Sequence, residues 1–312
     1  MTENNESTYN GNPLLKRTGE SREWSGGEVE EYLKCKNDVL YFVRTYVKIV
    51  HVDRGLIQYD PYDFQEELID TLHANRFVIS KCPRQVGKST TVTAYLLHYA
   101  IFNREKTIGI LANKHATAVE ILGKISKAYE NLPKFLQQGI VSWNKAFIQL
   151  ENGSRIISAA TSSSSIRGYS FSCVFIDECA HIESNTWDEF YKSTYPTISS
   201  GKDTKLILIS TPKGLNHFHK LWVDAEEKRN KFITHSVHWS SVPGRDDEWR
   251  KETISNTSAQ DFAQEHECVS GDCLVEVRDT STGKVQRIPI KNLYEILEVD
   301  KKTHNAEKTY EK

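Results

Sequence analysis

An α/β fold, with a mainly parallel sheet and helices on both faces, is what this sequence predicts. Two observations carry that prediction. From residue 77 onward, apolar strand-like runs alternate with helix-like segments, the order that yields parallel strands joined by crossover helices. One of these runs, Phe77-Val78-Ile79-Ser80, leads into Cys82-Pro83-Arg84-Gln85-Val86-Gly87-Lys88-Ser89 and then a helix-like segment, 90–101. Strand, tight loop, Gly-Lys-Ser and helix is the layout of a phosphate cradle, in which backbone N–H groups and a helix N-terminus face anionic oxygens.

The elements follow in order. Residues 1–27 are polar and rich in Gly, Asn, Glu and Ser, and are expected to form a disordered tail. Tyr32, Val39, Leu40, Phe42, Val43, Tyr46 and Val47 recur at helical spacing within 28–50. Pro61-Tyr62-Asp63-Phe64-Gln65 opens a helix over 66–74. Strands are expected at 77–80, 107–112, 147–150, 155–159, 173–176, 206–210 and 232–238, and further helices at 116–129, 186–197 and 215–228. Asn152-Gly153 between two strands is a hairpin signal. Ser162 to Ser165 form a polar loop before Arg167-Gly168. After residue 267 the texture changes to two strand-like runs, 268–277 and 285–290, a short helix at 293–297 and a charged remainder. No internal repeat is present.

The 312 residues suffice for one large domain or two smaller ones. Hydrophobic and charged fractions of 38% and 26% are those of an ordinary globular chain. No apolar run approaches the roughly 20 residues that span a bilayer, so no membrane association is expected. The first residues lack the basic and apolar regions of a signal peptide. A cytosolic chain is therefore expected, with six scattered cysteines kept as thiols and showing no metal-type pairing. A net charge of −2 announces no global basic field, yet a local patch suffices for nucleic acid.

The cradle has the spacing of a Walker A motif, with Cys82 where the first glycine stands. Lys88 is placed to reach β/γ oxygens of a bound nucleotide, and Ser89 to ligate Mg²⁺. Gln85, Gly87 and Thr90 complete the candidate binding set. Cys173-Val174-Phe175-Ile176 is apolar without alternation, as a strand buried on both faces is, and it ends in Asp177-Glu178. Carboxylates at a strand's carboxyl end sit where open α/β sheets bind ligands. Asp177 is assigned to the metal shell and Glu178 to orienting or deprotonating the attacking water. The Gln65 amide matches the donor and acceptor edge of adenine, or is simply a helix-start glutamine in water. Arg84, inside the cradle, and Arg167, on the flexible loop, compete as the arginine that stabilises the transferring phosphoryl group; the plain reading of either is an ion pair. Ser210 and Thr211, at a strand end, are placed to sense the γ-phosphate, or merely make a strand-to-turn junction.

Together these residues resemble the ATPase domain of the large terminase subunit of tailed phages, over about residues 28–267. The motifs that match are Pro61-Tyr62-Asp63-Phe64-Gln65, the cradle itself, Ala112-Asn113-Lys114, Ser165-Ile166-Arg167-Gly168, Val174-Phe175-Ile176-Asp177-Glu178 and Ser210-Thr211-Pro212. In that family the cradle commonly lacks its first glycine, so Cys82 fits. The resemblance implies a P-loop NTPase of the RecA/ASCE kind, using ATP and Mg²⁺, that drives double-stranded DNA into a capsid. It implies a homo-oligomeric ring, a portal protein, a small terminase subunit, and a host-cytoplasmic location with transient docking at the procapsid portal. It also implies a metal-dependent nuclease domain after the ATPase, which this chain is expected to lack. A helicase or remodelling ATPase is the alternative, and a non-hydrolysing nucleotide-binding module a third reading.

Cys268-Val269-Ser270-Gly271-Asp272-Cys273-Leu274-Val275 resembles the opening block of an intein, and Gly283, Ile288-Pro289-Ile290 and Leu293-Tyr294 fit the following strands and helix. That resemblance implies an incomplete β-rich segment of the HINT type over 268–312. Cys268 would attack the Glu267 carbonyl, a thiol being the better nucleophile near neutral pH. The Thr-x-x-His block and closing His-Asn are missing, and Cys273 replaces the usual Thr. The segment thus looks like the amino-terminal piece of a split intein, with a complementary fragment carrying the rest, or a truncated one. The alternative is that 268–312 begin an ordinary β-rich domain.

Overall fold

The computed structural model describes residues 8–161, 168–267, 274–278 and 284–289. At its start the expected disorder is corrected from Thr8 onward. Strands β1 (Thr8–Tyr9) and β2 (Asn12–Lys16) pair antiparallel about Asn10-Gly11, both at positive φ. Asn-Gly favours that hairpin turn because neither residue resists a left-handed backbone. Leu15 is 2% exposed, and Gln137 secures the hairpin by donating to the Leu14 carbonyl at 3.0 Å and accepting from the Lys16 N–H at 3.1 Å.

The helix expected over 28–50 is three elements. Ser25 and Glu28 form a capping box at the start of α1 (Gly26–Asn37). Asp38 then turns extended and accepts from the Tyr41 N–H at 2.8 Å, which ends α1 and starts α2 (Val39–Tyr46). Beyond Val47 the β-branched alternation wins over helical spacing, giving β3 (Lys48–His51), paired antiparallel with β4 (Gly55–Gln58).

The remaining elements follow the expected alternation, with one added edge strand at Ile140–Trp143 that the sequence reading lacks. They are α3 (Asp63–Ala74), β5 (Phe77–Lys81), α4 (Lys88–Phe102), β6 (Thr107–Ala112), α5 (His115–Glu130), β7 (Ile140–Trp143), β8 (Phe147–Leu150) and β9 (Arg155–Ala160), then β10 (Cys173–Asp177), α6 (Ser184–Ser200), β11 (Lys205–Ser210), α7 (His217–Glu226) and β12 (Ile233–Ser236). Two short helices, α8 (Asp247–Asn256) and α9 (Ala259–Phe262), lead into a π-helical turn at Ala263–Glu267. Beyond it, β13 (Leu274–Arg278) and β14 (Val285–Pro289) pair antiparallel. Cys268, Arg167 and residues 290–312 lie outside the described residues.

One eight-stranded sheet runs in the order β12-β5-β11-β10-β6-β9-β8-β7. The six strands from β12 to β9 are parallel, and β8 and β7 add an antiparallel edge. Both faces are packed, which is why the central strands read as unbroken apolar runs. Val78, Ile110, Phe175, Ile207 and Ile209 point to the face covered by α3, α4 and α5 residues such as Leu72, Leu96 and Leu122. Ile79, Leu111, Val174, Ile176 and Leu208 point to the other, under Trp187, Phe190 and Phe218. Each such side chain contributes about 1.5–3 kcal/mol by leaving water. Among the described residues no helix is long and apolar enough to cross a membrane.

The topology places the chemistry. The cradle strand β5 and the acidic strand β10 are separated by one strand, β11. Their register aligns Ser80 with Ile209 and Ile209 with Asp177, so the three carboxyl ends open at one edge.

Candidate active site

The loop between β5 and α4 contains two left-handed residues, Gln85 (φ 56°) and Gly87 (φ 75°). Gly87 is the N-cap of α4 and provides no side-chain cap, so the first N–H groups of the helix keep their hydrogen-bonding capacity for an anion. Thr90 lies in that first turn. Cys82 fits where a glycine was expected because its thiol turns down into the sheet, 3.1 Å from the Ser80 hydroxyl, while its N–H donates to the Ser210 carbonyl at 3.1 Å. Burial pushes that thiol up to about 11, so it is inert at neutral pH.

The two sequence-distant clusters meet. Lys88 is only 8% exposed, and its ammonium lies 2.8 Å from Glu178 Oε1. The Ser89 hydroxyl donates to Asp177 Oδ2 at 2.7 Å. Burial, followed by the adjacent Glu178 charge, pushes the Asp177 carboxyl above its ordinary value, against Lys88 and Ser89. Burial also raises Glu178, but the Lys88 charge and hydrogen bond, with His181, outweigh it and hold that carboxyl below its ordinary value. Glu178 is therefore ionised at neutral pH. Its backbone is left-handed, φ 51°, a conformation a residue with a Cβ adopts at a cost.

Ser210 and Thr211 touch Glu178, the latter through its backbone. The Ser210 hydroxyl lies 3.5 Å from Glu178 Oε2 and accepts from the Ala180 N–H at 3.0 Å. His181 Nε2 sits 3.0 Å from the Thr211 hydroxyl and 3.7 Å from Glu178 Oε2, so it bridges the strand end and the carboxylate. Gln65 is buried, and its amide is engaged with backbone: Oε1 accepts from the Tyr62 N–H at 3.0 Å and Nε2 donates to the Val86 carbonyl at 2.9 Å. One N–H and one lone pair remain on that amide. Arg84 is 58% exposed and pairs with Glu265 at 2.5 Å, while its N–H donates to the Glu265 carbonyl at 2.9 Å. Gln85 projects from the loop, its carbonyl held by Arg245 at 3.0 Å.

His181, Arg245 and Glu265 were not expected at this site. His181 follows the acidic pair by a few residues and carried a legible signal, a polar group in the turn after an acidic strand. Arg245 and Glu265 arrive from far along the chain, in a segment without motif or strong periodicity.

The pocket sets hard oxygens at Ser89 and Asp177 beside the Glu178 carboxylate and the Lys88 ammonium. That donor set suits a small hard dication held mostly by phosphate oxygens. Among the described residues no group of three or more His, Cys, Asp or Glu gathers as a metal site.

Solved structures share this architecture. The ATPase domain of the Thermus phage P74-26 large terminase matches with a TM-score of 0.56 and 22% identity, over 67% of this chain and 94% of that one. The HK97 bacteriophage large terminase matches with a TM-score of 0.63 and 16% identity, over 77% of this chain and 56% of that one. The large terminase of the thermophilic bacteriophage D6E, in complex with ATP-gamma-S, matches with a TM-score of 0.51 and 11% identity, over 70% and 54%. The chain thus spans nearly all of an isolated ATPase domain but little more than half of the two longer terminases. At these identities the likeness establishes the fold. The family model for the terminase large subunit, T4likevirus-type, N-terminal, matches residues 80–285, from the cradle strand through the acidic strand and into β14. The chain belongs to that terminase large-subunit family.

Proposed function

We propose that this chain is the ATP-hydrolysing motor domain of a phage terminase large subunit, which drives double-stranded DNA into the capsid. The observation that carries the reading is the convergence of Lys88 on Glu178 and of Ser89 on Asp177 at the carboxyl edge of the sheet. An ATPase of this family needs a cradle, a hard-cation site and an ionised carboxylate in one pocket, and these residues supply them.

The chemistry follows from the pairing. Without nucleotide, the Lys88 ammonium neutralises Glu178. Triphosphate oxygens entering the cradle compete for that ammonium and release the carboxylate. Glu178, ionised and held by a fixed backbone, then orients the attacking water and accepts its proton. Mg²⁺, held by Ser89 and Asp177, would neutralise charge on the phosphates. Gln65 links the adenine side to the loop through Val86, and Arg84 reaches the transferring phosphoryl group once it leaves Glu265; Arg167 is its competitor. Ser210, Thr211 and His181 contact Glu178 and relay loss of the γ-phosphate to the turn after β11. The portal protein, the small terminase subunit and a ring of identical subunits are the proposed partners, in the host cytoplasm and at the procapsid portal.

The motor reading is tested by ATP hydrolysis with and without double-stranded DNA. It predicts hydrolysis stimulated by DNA without strand separation. Strand separation would move the chain to the helicase class.

We also propose that the ATPase domain ends at Glu267 and that residues 268–312 form the amino-terminal part of an intein. The Cys268 thiol adds to the Glu267 carbonyl, the C–N bond breaks, and the thiol proton ends on the freed amine, leaving a thioester. The β13–β14 hairpin is compatible with this and with an ordinary β-rich domain, and the family match continues to residue 285 across the proposed border. Mixing the chain with a complementary intein–terminase fragment should give a ligated product that Cys268→Ala abolishes; ligation by the variant would refute the assignment.

A further inference from the structure

The cradle loop is held from outside. Three successive carbonyls, those of Arg84, Gln85 and Val86, accept hydrogen bonds from side chains outside the loop. Arg245 donates through one guanidinium nitrogen to Arg84 O at 3.2 Å and through the other to Gln85 O at 3.0 Å. Gln65 donates to Val86 O at 2.9 Å. A trans peptide is planar, so turning a carbonyl outward turns the next residue's N–H inward. The three contacts therefore fix the N–H groups of Gln85, Val86 and Gly87 on the side away from Arg245 and Gln65. Such pinning matters here because the loop runs through two left-handed residues, one of them the non-glycine Gln85.

Arg245 is built for this position. Gly244, at φ 84°, turns the chain immediately before it. Its guanidinium stacks over the Trp249 ring at 4.8 Å, which sets the plane of the fork. Trp249 packs with Trp239 at 5.7 Å and Phe262 at 5.8 Å, so the support is a small aromatic core. Among the described residues Arg245 makes no ion pair. A guanidinium alone presents two donors in a rigid plane; an ammonium offers one point of attachment.

We propose that Arg245 is a positioning residue of the ATPase reaction, acting through the loop backbone: it fixes the phosphate-facing N–H groups and adds positive potential behind them. This rests on the ATPase reading of the same site. Donation to the two carbonyls also polarises their peptides and strengthens the opposing N–H donors.

The test uses the full chain with Arg245→Ala and Arg245→Lys, measuring binding of a fluorescent ATP analogue, kcat and KM, and the urea midpoint. Arg245→Ala should lower nucleotide affinity and kcat/KM by at least ~10-fold under conditions where it remains folded. Arg245→Lys, which keeps the charge and loses the fork, should recover only a minor part, whereas added methylguanidinium should partly restore Arg245→Ala. A role confined to holding the aromatic core in place predicts a lower urea midpoint with wild-type affinity and kcat/KM, and that result would overturn the proposal. Full recovery by Arg245→Lys would do the same, and this variant decides the matter if Arg245→Ala does not fold. Failure of the wild-type chain to hydrolyse ATP would instead count against the ATPase reading, while the binding measurement would still test Arg245.

Discussion

Lys88 is a buried cation whose ammonium ion-pairs with Glu178, and the rest of the site depends on that pairing. A buried carboxylate left without its cation costs several kcal/mol or takes up a proton. Removing the ammonium deprives the phosphates of their deepest positive contact and leaves Asp177 and Glu178 facing each other. We expect Lys88→Ala to weaken nucleotide binding by at least ~10-fold, since hydrogen bonds to charged groups contribute roughly 1.5–3 kcal/mol. Equilibrium titration with a fluorescent analogue measures it, and unchanged affinity would exclude the cradle role. The residues of this centre were legible in the sequence because their chemistry is compressed into short motifs at strand ends: Gly87-Lys88-Ser89 after one apolar run, Asp177-Glu178 after another. What was not legible is how their charges settle. Nothing in the sequence says that Glu178 falls below its ordinary value while Asp177 rises; that depends on which carboxylate the buried ammonium touches.

At the scale of elements, the loop between β5 and α4 owes its shape to backbone geometry first. A Cβ on Gly87 would stand 2.6 Å from Gln65 Nε2, which a side chain can yield, and at φ 75°, which it cannot. Left-handed backbone costs a residue with a Cβ roughly 1–2 kcal/mol. Gly87→Ala should therefore lower the urea unfolding free energy by about that much, and the double variant with Gln65→Ala should not recover it. Full recovery in the double variant would place the cost in the contact with Gln65. Elements held by local signals, β5, β6, β10 and β11 with their flanking helices, matched the sequence reading closely. The misses have physical reasons. Asp38 competes with helix continuation by capping α2, and Asn10-Gly11 makes a hairpin inside a polar stretch that reads as disordered. α8 and α9 carry little periodicity and are held by long-range aromatic packing on Trp239.

For the whole molecule, six histidines share one property. Burial holds His98, His181, His217, His219, His235 and His266 below the ordinary value of 6.5, His98 down to about 4. Unfolded, each takes a proton near 6.5; folded, it resists until lower pH. The folded chain thus binds fewer protons in that window, and its stability falls as pH drops from 6.5 towards 4. His98 alone accounts for about 3 kcal/mol across the window. Urea midpoints should decline on acidification from pH 7, and His98→Gln, which can still donate to the Cys35 carbonyl, should flatten the slope. A midpoint that holds or rises would contradict this. The same fold places two strand ends from distant parts of the chain at one edge, and the account turns on their forming a single hydrolytic centre. The most direct test is single-turnover phosphate release from bound ATP by wild type and Glu178→Gln. The account predicts that the variant retains ATP binding and loses at least ~100-fold in rate. Undiminished release by Glu178→Gln would contradict it.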